Sequence, residues 1–186
     1  LEYYRWGLET AQQWRLRRGL ARKPEWDAVI KGLAPLATKD GLYLPTESTP
    51  DFWDVARSAE CSRHAVEEKC LNRDHPSFLM AYGLLPGKGV DKETMRRTLR
   101  AVESDWDLRQ TWGWDYPMAA MTAARLGEPD KAVDWLFFDA KNNKFGVSGM
   151  TPRVHLEAHA QAFVPASAGA GAPAGSPVGQ DGPGYS

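Results

Sequence analysis

Two tryptophans stand next to a carboxylate in the second half of the chain. Trp112 and Trp114 flank a glycine, and Asp115 follows at once. An indole face can stack on a pyranose ring while a neighbouring carboxylate accepts hydrogen bonds from the sugar hydroxyls. We therefore expect a saccharide site in which both indoles bind substrate and Asp115 acts as a catalytic carboxylate. The place just before Tyr116 also suits a helix N-cap, and the two roles can coexist.

A second group of candidate residues precedes Pro76. Asp74 and His75 could each cap the short helix that is predicted after the proline. The other interpretation is a hydrogen bond to substrate or to a carboxylate of the same cleft, for which an imidazole is well suited. We expect both residues to bind substrate. Glu47, in a long polar loop, is the second candidate catalytic carboxylate, although most loop glutamates are simply solvated.

Neither a metal site nor a cofactor is expected. His155 and His159 could share one face of a helical turn, but two ligands are too few to hold a metal ion. Cys61 and Cys70 lie nine positions apart on a predicted helix, which would separate them by about 13 Å. That distance is too long for a disulfide unless the helix is broken, so the sequence favours two free structural thiols.

The elements that must position these residues belong to a globular chain of ordinary composition. It has 186 residues, of which 42% are hydrophobic and 25% charged, enough to bury one core. The 23 basic and 24 acidic residues leave a net charge of -1, so neither a nucleic acid nor an anionic membrane is an expected partner. No apolar run reaches the roughly 18 residues that a membrane-spanning helix needs.

Hydrophobic residues recur at helical spacing through residues 1–139. The predicted helices are a first one ending near Gly19, a second from Pro24 to Gly32, a third over 52–70, a short one over 76–84, a polar one over 91–106, and a last pair over 117–126 and 130–140. Tyr4 and Trp14 should lie on the apolar face of the first helix. Met95, Leu99, Val102 and Trp106 should lie on one face of the helix over 91–106. Asp40 and Gly41 predict a turn, and a short extended piece should follow it.

The helix over 117–126 is apolar or small on nearly every side, which indicates that other helices enclose it. Enclosed helices that alternate with amphipathic ones predict an all-α fold, a two-layer barrel or toroid of helical hairpins. The helical pattern fades beyond residue 142, so 146–164 should be irregular. Residues 165–186 are almost entirely Ala, Gly, Pro and Ser and are expected to form a disordered tail, since they can bury little apolar surface.

Four groups of residues resemble, in order, the C-terminal half of the six-hairpin glycosidases. They are residues 9–15, residues 26–29 with 40–43, residues 75–77 with 82–87, and residues 111–117 with 124–127. Within that superfamily the chain is most similar to proteins related to the family-95 fucosidases, over roughly residues 1–145. Each motif is weak alone, whereas the four in this order are fairly specific.

The resemblance implies an (α/α)6 toroid of twelve helices, of which this chain would be a part completed by upstream sequence. It also implies inversion at the anomeric centre, with an acid and a base about 6.5 to 9.5 Å apart. In the fucosidase-like relatives the general acid lies in the half of the toroid that precedes this region, and a histidine stands at the place of His75. The fucosidases carry an aspartate where this chain has residues 163–169 without a carboxylate, so fucosidase activity in particular is not expected.

Together these observations predict an inverting glycoside hydrolase that acts on a glycan or oligosaccharide. Residues 1–145 would be the C-terminal portion of its catalytic domain, and a carbohydrate would be the partner. The alternative is a non-catalytic helical module that binds a saccharide or another protein. In either case the uncovered apolar helices are expected to make the chain self-associate or pair with a missing N-terminal half.

Overall fold

The computed structural model describes residues 1–61 and 70–145, together with Gly149 and Thr151. Its α-helices are α1 (Glu2–Arg17), α2 (Pro24–Gly32), α3 (Phe52–Ala56), α4 (Met80–Gly83), α5 (Lys92–Asp105), α6 (Asp115–Arg125) and α7 (Pro129–Leu136). Short 3-10 turns lie at Ala59–Cys61, Leu71–Arg73, Ser77–Leu79 and Lys141–Asn143. Helices and turns make up 57% of the described residues and strands 3%, which confirms the all-α class. Apart from Gly149 and Thr151, the predicted irregular segment 146–164 and tail 165–186 lie outside the described residues.

Helices α1 and α2 pack as a pair whose ends follow the predicted signals. Gly19 adopts a φ of 71° after the last turn of α1, and the N–H of Leu20 donates to the Arg15 carbonyl at 2.9 Å. This is the Schellman arrangement that favours glycine, because the left-handed conformation is strained for other residues. The Gln12 side chain joins the pair by donating to the Lys23 carbonyl at 2.7 Å and accepting from the Lys23 N–H at 2.9 Å.

The buried side chains of α1 are polar, and the apolar residues predicted to face inward are exposed or only half-buried. Tyr4 and Trp14 are exposed, whereas Glu2 and Gln12 are the buried residues of this helix. The Glu2 carboxylate accepts hydrogen bonds from the Gly89 N–H at 3.1 Å and from the Arg5 guanidinium at 3.0 Å. Because the buried side chains of α1 are polar and hydrogen-bonded, hydrophobic periodicity could not locate its inner face.

A two-stranded antiparallel hairpin, β1 (Thr38–Lys39) and β2 (Leu42–Tyr43), follows α2. Asp40 and Gly41 have φ angles of 52° and 76°, as a type I′ turn requires, and the predicted turn is confirmed. Tyr43 ties the hairpin to the start and middle of α5. Its N–H donates to the Thr98 hydroxyl at 2.9 Å, and its own hydroxyl accepts from the Asp91 N–H at 2.8 Å.

The helix predicted over 52–70 begins at Phe52 but is interrupted after Ala56, and the prediction of two free cysteines is wrong. Helix α3 ends at Ala56, and a separate 3-10 turn leads to Cys61. The distance of about 13 Å assumed one continuous helix. Because the helix is broken, the Cα atoms of Cys61 and Cys70 lie 5.2 Å apart, and the two residues form a disulfide.

Helix α5 carries the centre of the core. Asp91 caps it by accepting from the Thr94 N–H at 2.8 Å, and the predicted apolar face of Met95, Leu99, Val102 and Trp106 is buried. An aromatic cluster shares this core. Its rings are Phe52, Trp53, Phe78 and Trp106, whose centroids lie 5.2 to 6.3 Å apart. Edge-to-face contacts of this kind add to the free energy gained from burial alone.

Helix α6 packs against α4 and α7 and is buried along most of its length. Gly83 in α4 allows the close approach, since a Cβ atom there would stand 2.5 Å from the Met118 carbonyl oxygen. Tyr82 and Arg125 then exchange hydrogen bonds between side chain and backbone: the Tyr82 hydroxyl donates to the Arg125 carbonyl, and the guanidinium donates to the Tyr82 carbonyl. Met121 and Ala124 remain exposed, so the described helices do not enclose α6 on every side.

Candidate functional site

The short segment before Pro76 is held in place by its backbone. The Asp74 carbonyl oxygen accepts a hydrogen bond from the buried Trp106 indole N–H at 2.8 Å. The Thr111 hydroxyl lies 3.2 Å from the same oxygen. Because the residue before a proline is restricted to extended conformations, His75 projects from a stiff stretch of chain between two 3-10 turns. The Asp74 carbonyl oxygen thus joins the segment before Pro76 to the loop that follows α5.

The loop between α5 and α6 is braced by Asn142. The Asn142 amide donates to the Thr111 carbonyl, and its oxygen lies 2.9 Å from the Tyr116 hydroxyl, which also contacts the Leu108 carbonyl. Burial raises the pKa of Tyr116, so that hydroxyl stays protonated and remains a donor. Gly113 makes room for the brace, because a Cβ atom there would lie 2.4 Å from the Asn142 carbonyl oxygen. This bracing fixes the direction in which the neighbouring tryptophans point.

These contacts bring five of the six predicted site residues together. His75 Nδ1 lies 2.9 Å from Asp115 Oδ1. The imidazole ring also packs against both indoles, with centroid distances of 4.7 Å to Trp112 and 4.3 Å to Trp114. The Trp112 indole N–H donates to Asp74 Oδ1 at 3.0 Å. We call this group of residues (74, 75, 112, 114 and 115) the Trp–His–Asp cluster.

Asp115 is the buried member of the cluster. Only 3% of its side chain is exposed, and both carboxylate oxygens accept hydrogen bonds. Oδ1 faces His75, whereas Oδ2 accepts from the Trp112 N–H at 3.0 Å and from the Thr111 hydroxyl. That hydroxyl has a single proton, which we assign to the carboxylate rather than the Asp74 carbonyl, because bonds to a charged acceptor are stronger. Asp115 therefore has no free oxygen with which to contact a ligand.

Two influences act on the ionisation of Asp115. Burial raises the pKa of its carboxyl group above the ordinary value, because the charged form loses hydration. Hydrogen bonds from Thr111, His75 and the Trp112 N–H oppose that rise.

The prediction that Asp115 could be a helix N-cap is wrong. Trp114 occupies the N-cap position of α6, and Asp115 is the first residue of the helix.

Asp74 is the exposed carboxylate of the cluster, with 67% of its side chain accessible. Oδ1 accepts from the Trp112 indole and from the His75 N–H at 2.9 Å, and lies 3.8 Å from His75 Nε2. Oδ2 has no hydrogen-bond partner in the described part of the chain. Half-exposed Trp112, Trp114 and His75 stand beside it. A ligand that enters here meets aromatic surface, an imidazole edge and one carboxylate.

Glu47 lies apart from these contacts. Its side chain is exposed in the loop after β2, and no hydrogen bond or ion pair within 1–61 and 70–145 joins it to the cluster. The structure thus does not bring the two predicted catalytic carboxylates into one group of contacts. His155 and His159, which were considered as metal ligands, lie outside the described residues.

Thr111 and Asn142 hold the site but were not singled out as site residues. Thr111 stands four positions before Asp115, a spacing that carries no signal in a loop. Asn142 is distant in sequence from everything it contacts. The one available signal was that Thr111 begins the same motif as the tryptophans.

Comparison with protein-family models, with curated proteins and with solved structures finds no match for this chain. Among the described helices, none has the length and apolar character needed to cross a membrane. The function must therefore be argued from the geometry of the Trp–His–Asp cluster.

Proposed function

We propose that this chain is the carbohydrate-binding portion of a glycoside hydrolase, and that its helices belong to an (α/α)6 toroid. The observation that carries the proposal is the Trp–His–Asp cluster, in which half-exposed indoles and an imidazole stand beside an exposed carboxylate. Saccharide sites combine an apolar face for the ring with a few fixed polar groups for the hydroxyls. The cluster offers both, on side chains whose positions are set by hydrogen bonds.

Within this proposal Asp74 and Trp112 keep the substrate-binding roles first expected of them, whereas Asp115 loses its catalytic role. Asp74 accepts sugar hydroxyls, since it is the carboxylate with a free oxygen. Trp112 provides a ring face whose orientation is set by its hydrogen bond to Asp74. Asp115 is buried beneath His75, contacts the imidazole through Oδ1, and does not touch the ligand. The general acid would be supplied by residues outside this chain.

One observation favours the non-catalytic alternative. An inverting hydrolase needs two carboxyl groups about 6.5 to 9.5 Å apart on opposite sides of the scissile bond. Only Asp74 is an accessible carboxylate within the cluster, and the described contacts leave Glu47 elsewhere. A chain that binds a sugar without hydrolysing it would have this arrangement.

Saccharide binding by the chain itself tests the proposal. We expect a panel of neutral monosaccharides and their nitrophenyl glycosides to include ligands that raise the melting temperature and can be titrated by calorimetry. Asp74→Asn and Trp112→Ala should weaken binding about tenfold or more, equal to at least about 1.4 kcal/mol. Trp112→Phe keeps the aromatic face but loses the indole donor, so it should fall between wild type and Trp112→Ala.

Asp139→Asn is the matched control, because its carboxylate is 92% exposed and, among the described residues, its one ion pair is with Lys144 on the surface. It should bind as wild type does. Binding without release of nitrophenol would favour the non-catalytic module. If no saccharide binds, or if Asp74→Asn and Asp139→Asn behave alike, the cluster is not a sugar site.

A further inference from the structure

The contacts of Asp115 determine which nitrogen of His75 carries a proton. Oδ2 is already occupied by the Trp112 N–H and the Thr111 hydroxyl, and Oδ1 lies 2.9 Å from His75 Nδ1. An ionised carboxylate can only accept hydrogen bonds, so the proton between the two side chains belongs to Nδ1. In the neutral imidazole Nε2 then has a lone pair. Nε2 lies on the side of the ring nearer to exposed Asp74.

We propose that His75, through Nε2, is a hydrogen-bond acceptor for the ligand of this site, and that buried Asp115 is the positioning residue that holds the imidazole in the Nδ1–H tautomer. Trp112 and Trp114 pack against the same ring and keep it from rotating. Thr111 and the Trp112 N–H keep the carboxylate from turning away. The tautomer assignment stands on these contacts alone.

The kind of ligand follows from the second acceptor. Asp74 Oδ1 lies 3.8 Å from His75 Nε2, so the Asp74 carboxylate, whose Oδ2 is free within the described part of the chain, stands beside the imidazole acceptor. A matching ligand presents two adjacent donors, as the neighbouring hydroxyls of a sugar do. An anionic ligand would be repelled by the ionised carboxylate of Asp74, whereas a neutral one would not. This part of the inference rests on the proposed function: it selects neutral vicinal diols and disfavours uronic acids.

Nitrogen NMR of the 15N-histidine-labelled chain tests the tautomer directly. At about pH 8.5, where imidazoles are ordinarily neutral, we expect His75 to show a protonated Nδ1 and an unprotonated Nε2. The His75→Gln variant identifies the resonances by their loss. A spectrum of wild type with the proton on Nε2 would overturn the proposal, and this result needs no variant and no ligand.

Asp115→Asn should reverse the tautomer. The carboxamide oxygen can still accept from Thr111 and the Trp112 N–H, which turns the NH2 group toward His75 and forces Nδ1 to become the acceptor. Nε2 then carries the proton and can donate to Asp74. The site would lose Nε2 as an acceptor for the ligand. Asp139→Asn should leave the spectrum unchanged. An Asp115→Asn spectrum like that of wild type would show that Asp115 does not set the tautomer.

The ligand class is tested with a neutral glycoside found in the saccharide panel and with its uronic acid counterpart. We expect the uronate to bind at least tenfold more weakly, and Asp115→Asn to weaken binding of the neutral glycoside about tenfold. Equal or tighter binding of the uronate would overturn the ligand class, whatever the tautomer. An Nδ1–H tautomer with no saccharide binding at all would refute the proposed function and leave the Asp115–His75 relationship intact.

Discussion

A carboxylate buried as deeply as Asp115 makes the stability of the chain depend on pH. Burial raises the pKa of Asp115, so the folded state binds that proton more tightly than the unfolded chain does. The stability that this proton contributes is fully present below the unfolded pKa of about 3.9 and is lost as the pH rises through the higher folded value. Asparagine does not titrate and lacks this dependence.

We therefore expect the free energy of unfolding of wild type, relative to Asp115→Asn, to fall as the pH is raised from about 3.5 to about 5.5. Urea unfolding followed by far-UV circular dichroism at several pH values measures the difference. Asp139→Asn provides the comparison for an exposed carboxylate, and its difference from wild type should stay nearly flat. A wild-type advantage that grows with pH in this range would mean that folding lowers the pKa of Asp115.

Gly113 is the residue on which the brace between the tryptophan loop and Asn142 depends. A Cβ atom 2.4 Å from the Asn142 carbonyl cannot be accommodated without moving one of the two segments. Gly113→Ala should destabilise the chain by about 1 to 3 kcal/mol, as overpacking usually does, and should weaken saccharide binding. Chemical denaturation measures the first effect. Gly32→Ala, where nothing lies within 4 Å of the added atom, should have neither effect.

At the residue scale, the types and spacing of side chains predicted the members of the site better than their roles. Trp112, Trp114 and Asp115 can be recognised as a candidate site because they lie within four residues of one another. Whether Asp74 or Asp115 faces a ligand depends on which side chain is buried, and the fold exposes Asp74 and buries Asp115. No local pattern carries that information.

Two glycines, Gly7 inside a helix and Gly127 just after one, should respond oppositely to the same substitution. Gly127 follows α6 with a φ of 82°, and the N–H groups of Gly127 and Glu128 donate to the carbonyls of Ala124 and Ala123 at 3.0 Å each. Alanine there would be forced into the left-handed region, at a cost of about 1 to 2 kcal/mol. Gly7 lies inside α1 with open space around it, so Gly7→Ala should stabilise by about 0.5 to 1 kcal/mol.

Thermal and urea unfolding of the two alanine variants measures both changes against the same wild type. Gly19→Ala supplies a second test, because Gly19 ends α1 in the same conformation as Gly127 ends α6. Equal effects at Gly7 and Gly127 would show that backbone conformation is not what distinguishes them.

At the scale of elements, capping residues and periodicity predicted where most helices lie. Asp91, Gly19 and the turn at Asp40 and Gly41 act locally, so they can be identified from sequence. The inner face of α1 and the end of α3 could not be predicted in the same way. The first depends on hydrogen bonds from Glu2 and Gln12 to backbone groups, and the second falls at Ala56, where the sequence has neither a glycine nor a proline to mark it.

At the scale of the whole molecule, the disulfide should contribute a sizeable part of the stability. Cross-linking two residues nine positions apart restricts the unfolded chain, and a loop of this size corresponds to about 2 to 3 kcal/mol. The double variant Cys61→Ser, Cys70→Ser should unfold at correspondingly lower urea concentration. Reduction of wild type should produce a similar loss and should leave the double variant unaffected. An equally stable double variant would contradict this.

Large apolar side chains remain exposed on two parts of the surface. Tyr3 and Tyr4 of α1 are 65% and 66% exposed, and Phe137, just after α7, is 82% exposed. Surfaces of this kind favour association. We expect the isolated chain to self-associate in sedimentation velocity experiments, and replacement of both tyrosines by lysine to shift it toward monomer. A wild-type chain that sediments as a monomer over a wide concentration range would contradict this expectation.

The bond between Cys61 and Cys70 also closes the polypeptide into a small ring, with residues 62–69 inside it. A peptide bond cut within that ring, for example by trypsin after Arg63, would leave the two pieces covalently joined. The nicked chain would migrate as one band in electrophoresis without reductant and as two bands after reduction. The number of bands under the two conditions therefore distinguishes a cut inside the ring from one elsewhere.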